Sequence, residues 1–148
     1  MKLYYYGNED LGLSRETGWP SINTPQSLFE ALSGIWCEYT CAPRMRHEWS
    51  EENRTLGQCS VTSFLAQDIF GGEVYGVPLG DGNYHCFNRV DGHVFDLTSE
   101  QFTQPLDYSN AVLQHRQDHF RKKEKEERYL YLKEKLEEKC REKAEETE

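Results

Sequence analysis

Three residues have the types and spacing for nucleophilic chemistry: Cys59, His85 and Asp96. Cys59 sits in the stretch GQCSVTSFLAQDIFGG, residues 57–72, where a loop turns into a helix. The free N–H groups and positive dipole end of a helix favour thiolate over thiol, and the thiolate is the nucleophile. His85 and Asp96 stand in two runs, YHCFNRV (84–90) and HVFDLT (93–98), separated by Asp91-Gly92. An Asp-Gly pair between such runs predicts a hairpin with a two-residue turn. Val90 then pairs with His93, Arg89 with Val94, Asn88 with Phe95, Phe87 with Asp96, Cys86 with Leu97 and His85 with Thr98. In that register His85, Phe87, Asp96 and Thr98 share a face, with Asp96 the diagonal neighbour of His85 at roughly 7 Å or less. A slip of one residue would separate them onto opposite faces.

A cysteine, a histidine and an aspartate so placed match the needs of thiol-dependent acyl transfer or hydrolysis. Cys59 attacks a carbonyl, His85 moves the proton, and Asp96 fixes the imidazole tautomer and supports its charge. The backbone N–H of Cys59 is one expected oxyanion donor, and a side-chain amide, from Gln58 or Asn53, is the other. Each residue also has a plainer reading. Free cysteines are often simply buried, His85 can be a satisfied strand histidine, and Asp96 can cap the turn that begins at Thr98. Cys86 points to the face opposite His85 and reads as core, and His93 shares that opposite face as an exposed or structural residue.

No metal is expected. Cys37, Cys41 and His47 could supply three zinc ligands, but structural zinc sites show two close ligand pairs and the body has no second pair. His115 and His119 stand four apart without an identifiable acidic or cysteine partner. No cofactor loop is present either, since the glycines at 71, 72, 80 and 82 serve turns.

The elements that must hold these residues follow from local signals. Thr24 as N-cap and Pro25 at the first helical position start a helix, and Leu28, Leu32, Ile35 and Trp36 carry it to about Tyr39. Val61, Phe64, Leu65 and Ile69 line one side of the helix bearing Cys59, which stops at Gly71. Residues 73–77 read as a strand, 78–83 as a loop, and Thr98 to Gln101 as a short helical turn. Lys2 to Tyr6 is an edge strand or extended arm. From about Ser109 to the end there is neither Gly nor Pro, which predicts one long helix. Its stripe of Tyr129, Leu132, Leu136 and Cys140 fits either the body or a second copy in a homodimer, and the turns after Cys140 read as solvated.

The 148 residues amount to one domain by length. Residues 121–148 carry ten basic and ten acidic side chains, so the net charge of −9 belongs to residues 1–120, with seven basic against sixteen acidic. An acidic body disfavours nucleic acid and anionic membranes as partners. No apolar run approaches the roughly 20 residues of a membrane span. The start, MKLYYYGNED, lacks a signal peptide's apolar core, and five cysteines without regular spacing do not make a disulfide framework. The expectation is a cytoplasmic protein with reduced thiols.

GQCSVTSFLAQDIFGG, together with YHCFN, FDLTSEQF and the RY-x-x-L form at Arg128-Tyr129-Leu130-Tyr131-Leu132, resembles the YunG-like family of small, mostly bacterial proteins. The resemblance covers about Pro25 to Leu136. It implies a papain-like arrangement, similar in order to transglutaminase-like and arylamine acetyltransferase folds, with the three catalytic roles falling on Cys59, His85 and Asp96. The expected architecture is α+β: a papain-like domain over 1–120, in which the cysteine helix packs on a small antiparallel sheet, and a charged helical extension over 121–148. The expected function is a thiol hydrolase or acyltransferase acting on a small-molecule or peptide amide or acyl substrate. The alternative is the same fold without turnover, acting as a binding or accessory protein.

Overall fold

The structure, a computed structural model, describes residues 4–146. Helix α1 spans Pro25–Ser33 and starts as its sequence dictates. Thr24 Oγ1 accepts from the Ser27 N–H at 3.0 Å, Ser27 Oγ accepts from the Thr24 N–H at 3.0 Å, and Pro25 follows the cap. The helix ends six residues before the expected Tyr39. Gly34 is its C-cap, and the chain leaves the helix there so that Trp36 is buried with its indole N–H on Thr62 Oγ1, 2.9 Å. The helical spacing of Ile35 and Trp36 persists as two closing hydrogen bonds to Leu32 C=O.

A 3₁₀ turn, Pro43–Glu48, leads through a polar loop to α2, Cys59–Phe70. Nine of the twelve α2 residues are buried, so α2 is the central helix and not a one-sided surface one. Four antiparallel strands follow the order β3-β2-β1-β4: β1 Glu73–Pro78, β2 Tyr84–Val90, β3 His93–Phe95 and β4 Val112–Gln114. The hairpin has the expected register, with Asn88 opposite Phe95, Arg89 opposite Val94 and Val90 opposite His93. Asp91 and Gly92 both have positive φ, 50° and 84°, as a tight two-residue hairpin turn requires. Beyond Phe95 the strand partner changes. Asp96 bridges to Tyr6, whose C=O accepts the Asp96 N–H at 2.9 Å, so the N-terminal arm seals this edge; Lys2 and Leu3 of that arm lie outside the described residues.

The largest departure from expectation lies between Ser109 and Lys122. Residues 112–114 form an edge strand on β1, pairing Val74 with Gln114, Tyr75 with Leu113 and Gly76 with Val112. Pairing with the open β1 edge outweighs helix propensity here, and Gly76 makes room for it: a Cβ there would lie 2.9 Å from Gln114 Nε2. A four-residue helix, α3 (Arg116–His119), and the long α4 (Lys123–Glu146) complete the chain; the last two residues of the sequence lie outside the description.

α4 lays its stripe on the body. Tyr129, Leu132, Leu136 and Cys140 are buried in the same apolar core as Leu28, Leu32, Phe64 and Leu65. Its main contacts are with α2 and α1. Arg128, almost fully buried, donates to Thr40 C=O at 2.9 Å and to Glu124 Oε2 at 2.8 Å, tying α4 to the turn after α1. The molecule is therefore α+β, with a small antiparallel sheet and a long C-terminal helix. Among the described residues no helix is long and apolar enough to cross a membrane.

Candidate active site

The site lies where the start of α2 meets β2. The sheet presents two faces, and β2 contributes to the site from both. His85 and Phe87 point to the face covered by Phe102 and Tyr108, while Cys86 and Asn88 point at α2, where Asn88 Nδ2 donates to Ser63 C=O at 2.9 Å. Cys59, the first residue of α2, stands at the boundary between them. Gly57 precedes it with φ of +70°, and a Cβ at this position would lie 2.5 Å from Cys41 Sγ, so the tight entry into α2 requires glycine.

His85 Nε2 and Asp96 Oδ2 are 2.6 Å apart, and both side chains are almost fully buried. Nε2 is taken by the carboxylate, which leaves Nδ1 as the free ring nitrogen; the Cys59 thiol lies close enough to shift the ring's pKa, and Cys59 Sγ itself donates to Tyr84 C=O at 3.9 Å. Asp96 is held from several sides. The Tyr108 hydroxyl donates to Oδ2 at 2.7 Å, and the Thr98 N–H and hydroxyl donate to Oδ1 at 3.2 and 3.3 Å. Phe102 stacks edge-on against the imidazole with ring centres 4.6 Å apart and closes it from that side.

The electrostatics favour a thiolate–imidazolium pair. Burial works against a charged imidazole, but the charge and hydrogen bond of Asp96, with the thiol of Cys59, outweigh it and raise His85 to about 10. Cys59 moves the other way, well below an ordinary thiol. The largest influence is a hydrogen bond from the Cys86 side chain; burial opposes it, and the His85 hydrogen bond and charge then add to the lowering, with the Cys86 backbone N–H. Cys86 is raised in return, first by that same hydrogen bond, and so remains the donor thiol.

Cys59 is half-buried and opens onto a cleft of about 700 Å³. Three segments form its walls: the turn from Ala42 to Arg44, the loop from Gly82 to Tyr84, and a side built by β4, α3 and α4. That last wall contains an unforeseen chain of contacts: Lys125 Nζ to His119 Nδ1 at 3.0 Å, and His119 Nε2 to Gln114 Oε1 at 2.8 Å.

The structure brings Cys59, His85 and Asp96 together and leaves the two candidate amide donors elsewhere. Gln58 is wholly buried, with Nε2 donating to Cys37 C=O at 3.1 Å, and it does not line the cleft. Asn53 belongs to a turn that bridges to Ser50, also outside the cleft lining. The reason is local: Gln58 enters the core as α2 begins, and the polar loop carries Asn53 away. No side chain caps α2, so the N–H groups of its first turn remain the donors beside Cys59.

Other candidates take structural parts. Cys41 is buried, and burial raises its thiol to about 11. Cys37 lies in a turn whose N–H is held by Thr40 Oγ1 at 3.0 Å, and His47 is exposed. Among the described residues no group of three or more His, Cys, Asp or Glu side chains is placed to hold a metal ion. Cys86 is core as expected, yet it is also the neighbour of the Cys59 sulfur. Strand alternation carried that signal, since a Cys86 facing α2 must approach its first turn. Tyr108 had no comparable signal.

A family model described as "YunG protein" matches residues 24–141, which include all of α1, α2, the sheet and most of α4. The chain belongs to the YunG family. Cys59, His85 and Asp96 fall inside the YunG match, as do Cys86, Tyr108 and Lys125. One similar protein, "Uncharacterized protein YunG" of Bacillus subtilis (strain 168), is 41% identical over 63 residues, which are 43% of this chain and 54% of that protein. The match thus spans about half the length of this YunG relative. No solved structure matches the chain.

Proposed function

We propose that the protein is a papain-like thiol hydrolase or acyltransferase, with Cys59 as nucleophile, His85 as acid–base and Asp96 as the residue that orients His85. The observation that carries this reading is the His85 ring, held on Asp96 at 2.6 Å by one nitrogen, beside a cysteine at the uncapped start of a helix and the edge of a cleft. A buried histidine retained only for packing would not need a charged partner on one side and a nucleophile on the other.

In the forward step the Cys59 thiolate adds to a substrate carbonyl, forming the S–C bond while the oxygen becomes an oxyanion. The N–H groups of the first turn of α2 face that oxyanion. Collapse breaks the bond to the leaving amine or alkoxide, which takes its proton from the His85 imidazolium, and an acyl-thioester remains. Neutral His85 then removes a proton from water or an acceptor nucleophile, which displaces Cys59 and restores the pair. Asp96 holds the ring throughout, its oxygens also accepting from Tyr108 and Thr98.

The test is residue-resolved alkylation of the folded protein at neutral pH. Cys59 is expected to react fastest of the five thiols, and His85→Ala is expected to slow it by an order of magnitude or more. A Cys59 that reacts no faster than Cys37, the other half-buried thiol, would sink the proposal.

A further inference from the structure

The wall of the cleft opposite the catalytic hairpin carries a feature that the proposed chemistry does not use. Lys125 is partly buried on α4, and among the described residues its ammonium hydrogen-bonds a histidine nitrogen and no carboxylate. That histidine is fixed in turn. His119 Nε2 is spent on Gln114 Oε1, and Gln114 Nε2 donates to Val112 C=O at 3.0 Å. With both ring nitrogens engaged, His119 accepts from Lys125 at Nδ1 and donates to Gln114 at Nε2. Burial and the neighbouring Lys125 charge lower its pKa to about 4, so it stays neutral and offers no countercharge. β4, α3 and α4 thus hold a lysine ammonium in the cleft without a carboxylate.

The surroundings point the same way. Glu124, an acid of the cleft, is paired with Arg128 at 2.8 Å, and Asp118 with Arg121 at 3.5 Å. Arg44 and Lys122, exposed at the rim, add two more cations. In a molecule with a net charge of −9, this cleft is a local positive field. At the buried end of the cleft one ammonium, backed by a neutral imidazole, matches the single charge of a carboxylate.

Resting on the thiol reading above, we propose that the cleft selects acyl or amide substrates bearing a carboxylate, and that Lys125 binds this carboxylate while Cys59 attacks the carbonyl. Lys125 is then a specificity-determining residue, and His119 and Gln114 are positioning residues that hold it.

Two alkylating reagents that differ by one charge supply the test. Iodoacetate carries a carboxylate and iodoacetamide does not, so the ratio of their rates at Cys59, normalised to free N-acetylcysteine, reads anion recognition next to the sulfur. In Lys125→Gln this ratio is expected to fall about tenfold, the scale of one ion-pair interaction in a partly buried site. The iodoacetamide rate, measured in each variant, is the reference that removes any general change in Cys59 reactivity, and Lys125→Arg should restore most of the ratio. A ratio unchanged in Lys125→Gln, with Cys59 still rapidly alkylated, overturns the proposal and leaves the thiol reading standing.

Should Cys59 itself prove unreactive, the thiol reading fails and a binding measurement decides the carboxylate site. Glutarate titrated into Cys59→Ser is expected to shift the amide resonances of Gln114, His119 and Lys125 saturably, and not to do so when Lys125→Gln is added. Absence of a saturable shift in Cys59→Ser overturns the site independently of the thiol.

Discussion

At the scale of single residues, the state of Cys59 is decided by two neighbours of different kinds, and they can be told apart. His85 supplies a hydrogen bond and a charge, while Cys86 supplies a hydrogen bond from the protein interior and no charge. Removing the second should raise the Cys59 pKa without touching the His85–Asp96 pair. Cys86→Ala is therefore expected to slow Cys59 alkylation severalfold at about pH 6, where thiolate is scarce once its donor is lost, and to leave the rate at about pH 9 nearly unchanged, since an ordinary thiol titrates near 8.5. Cys86→Ser, which keeps a donor, should lie between the two. Rate–pH curves that superimpose for all three proteins would show that Cys86 is packing alone. The His85–Asp96 contact and the place of Cys59 at a helix start were legible in the sequence, because an Asp-Gly turn fixes a strand register and a helix start fixes a cysteine, and both signals are local. Tyr108 was not legible. Its bond to Asp96 depends on the path of residues 102–108 across the sheet, which no nearby periodicity encodes.

At the scale of elements, the same division separates what was read correctly from what was not. The cap at Thr24, the start of α2 and the hairpin are specified by residues within a few positions of one another. β4 is specified by the open edge of β1, some forty residues away, and overrides a sequence that propensity alone assigns to helix. The Lys125–His119–Gln114 contact inherits this, since one member sits on β4, one on α3 and one on α4. α4 is the reverse case: its helix is evident from composition, but that its stripe is covered by α1 and α2 is a tertiary fact. Leu132 is fully buried there, whereas Leu130 is 52% exposed. Leu132→Ala should accordingly lose about 3 kcal/mol of unfolding free energy in urea, from the buried area removed and the cavity left. Leu130→Ala should change it by about 0.5 kcal/mol or less. Equal effects at the two positions would mean that α4 does not dock by its stripe.

For the whole molecule, the Cys59–His85 pair ties stability to pH, and the signs can be worked out group by group. His85 is raised on folding, so its contribution is complete below the unfolded value of about 6.5 and is lost as pH climbs to about 10. Cys59 is lowered on folding, so its contribution is complete above about 8.5 and is lost as pH falls toward its folded value. Between about 6.5 and 8.5 the two slopes oppose each other and cancel, since both folded and unfolded chains bind about one proton at these two groups. Below that window the unfolded chain binds the extra proton, and above it the folded chain does, so the pair makes its greatest contribution across neutrality. Cys59→Ala removes the thiolate half of this balance together with the part of the His85 shift that Cys59 causes. The stability gap between wild type and Cys59→Ala, from urea unfolding at a series of pH values, should widen with rising pH toward about 8.5 by at most ~1.4 kcal/mol per pH unit, and narrow again as His85, which Cys59 helps to raise, loses its proton in the wild type. A gap that is flat from acid to alkali would mean that Cys59 is no more acidic in the folded protein than in the unfolded chain, and with that the thiolate required for attack at neutral pH would be lost.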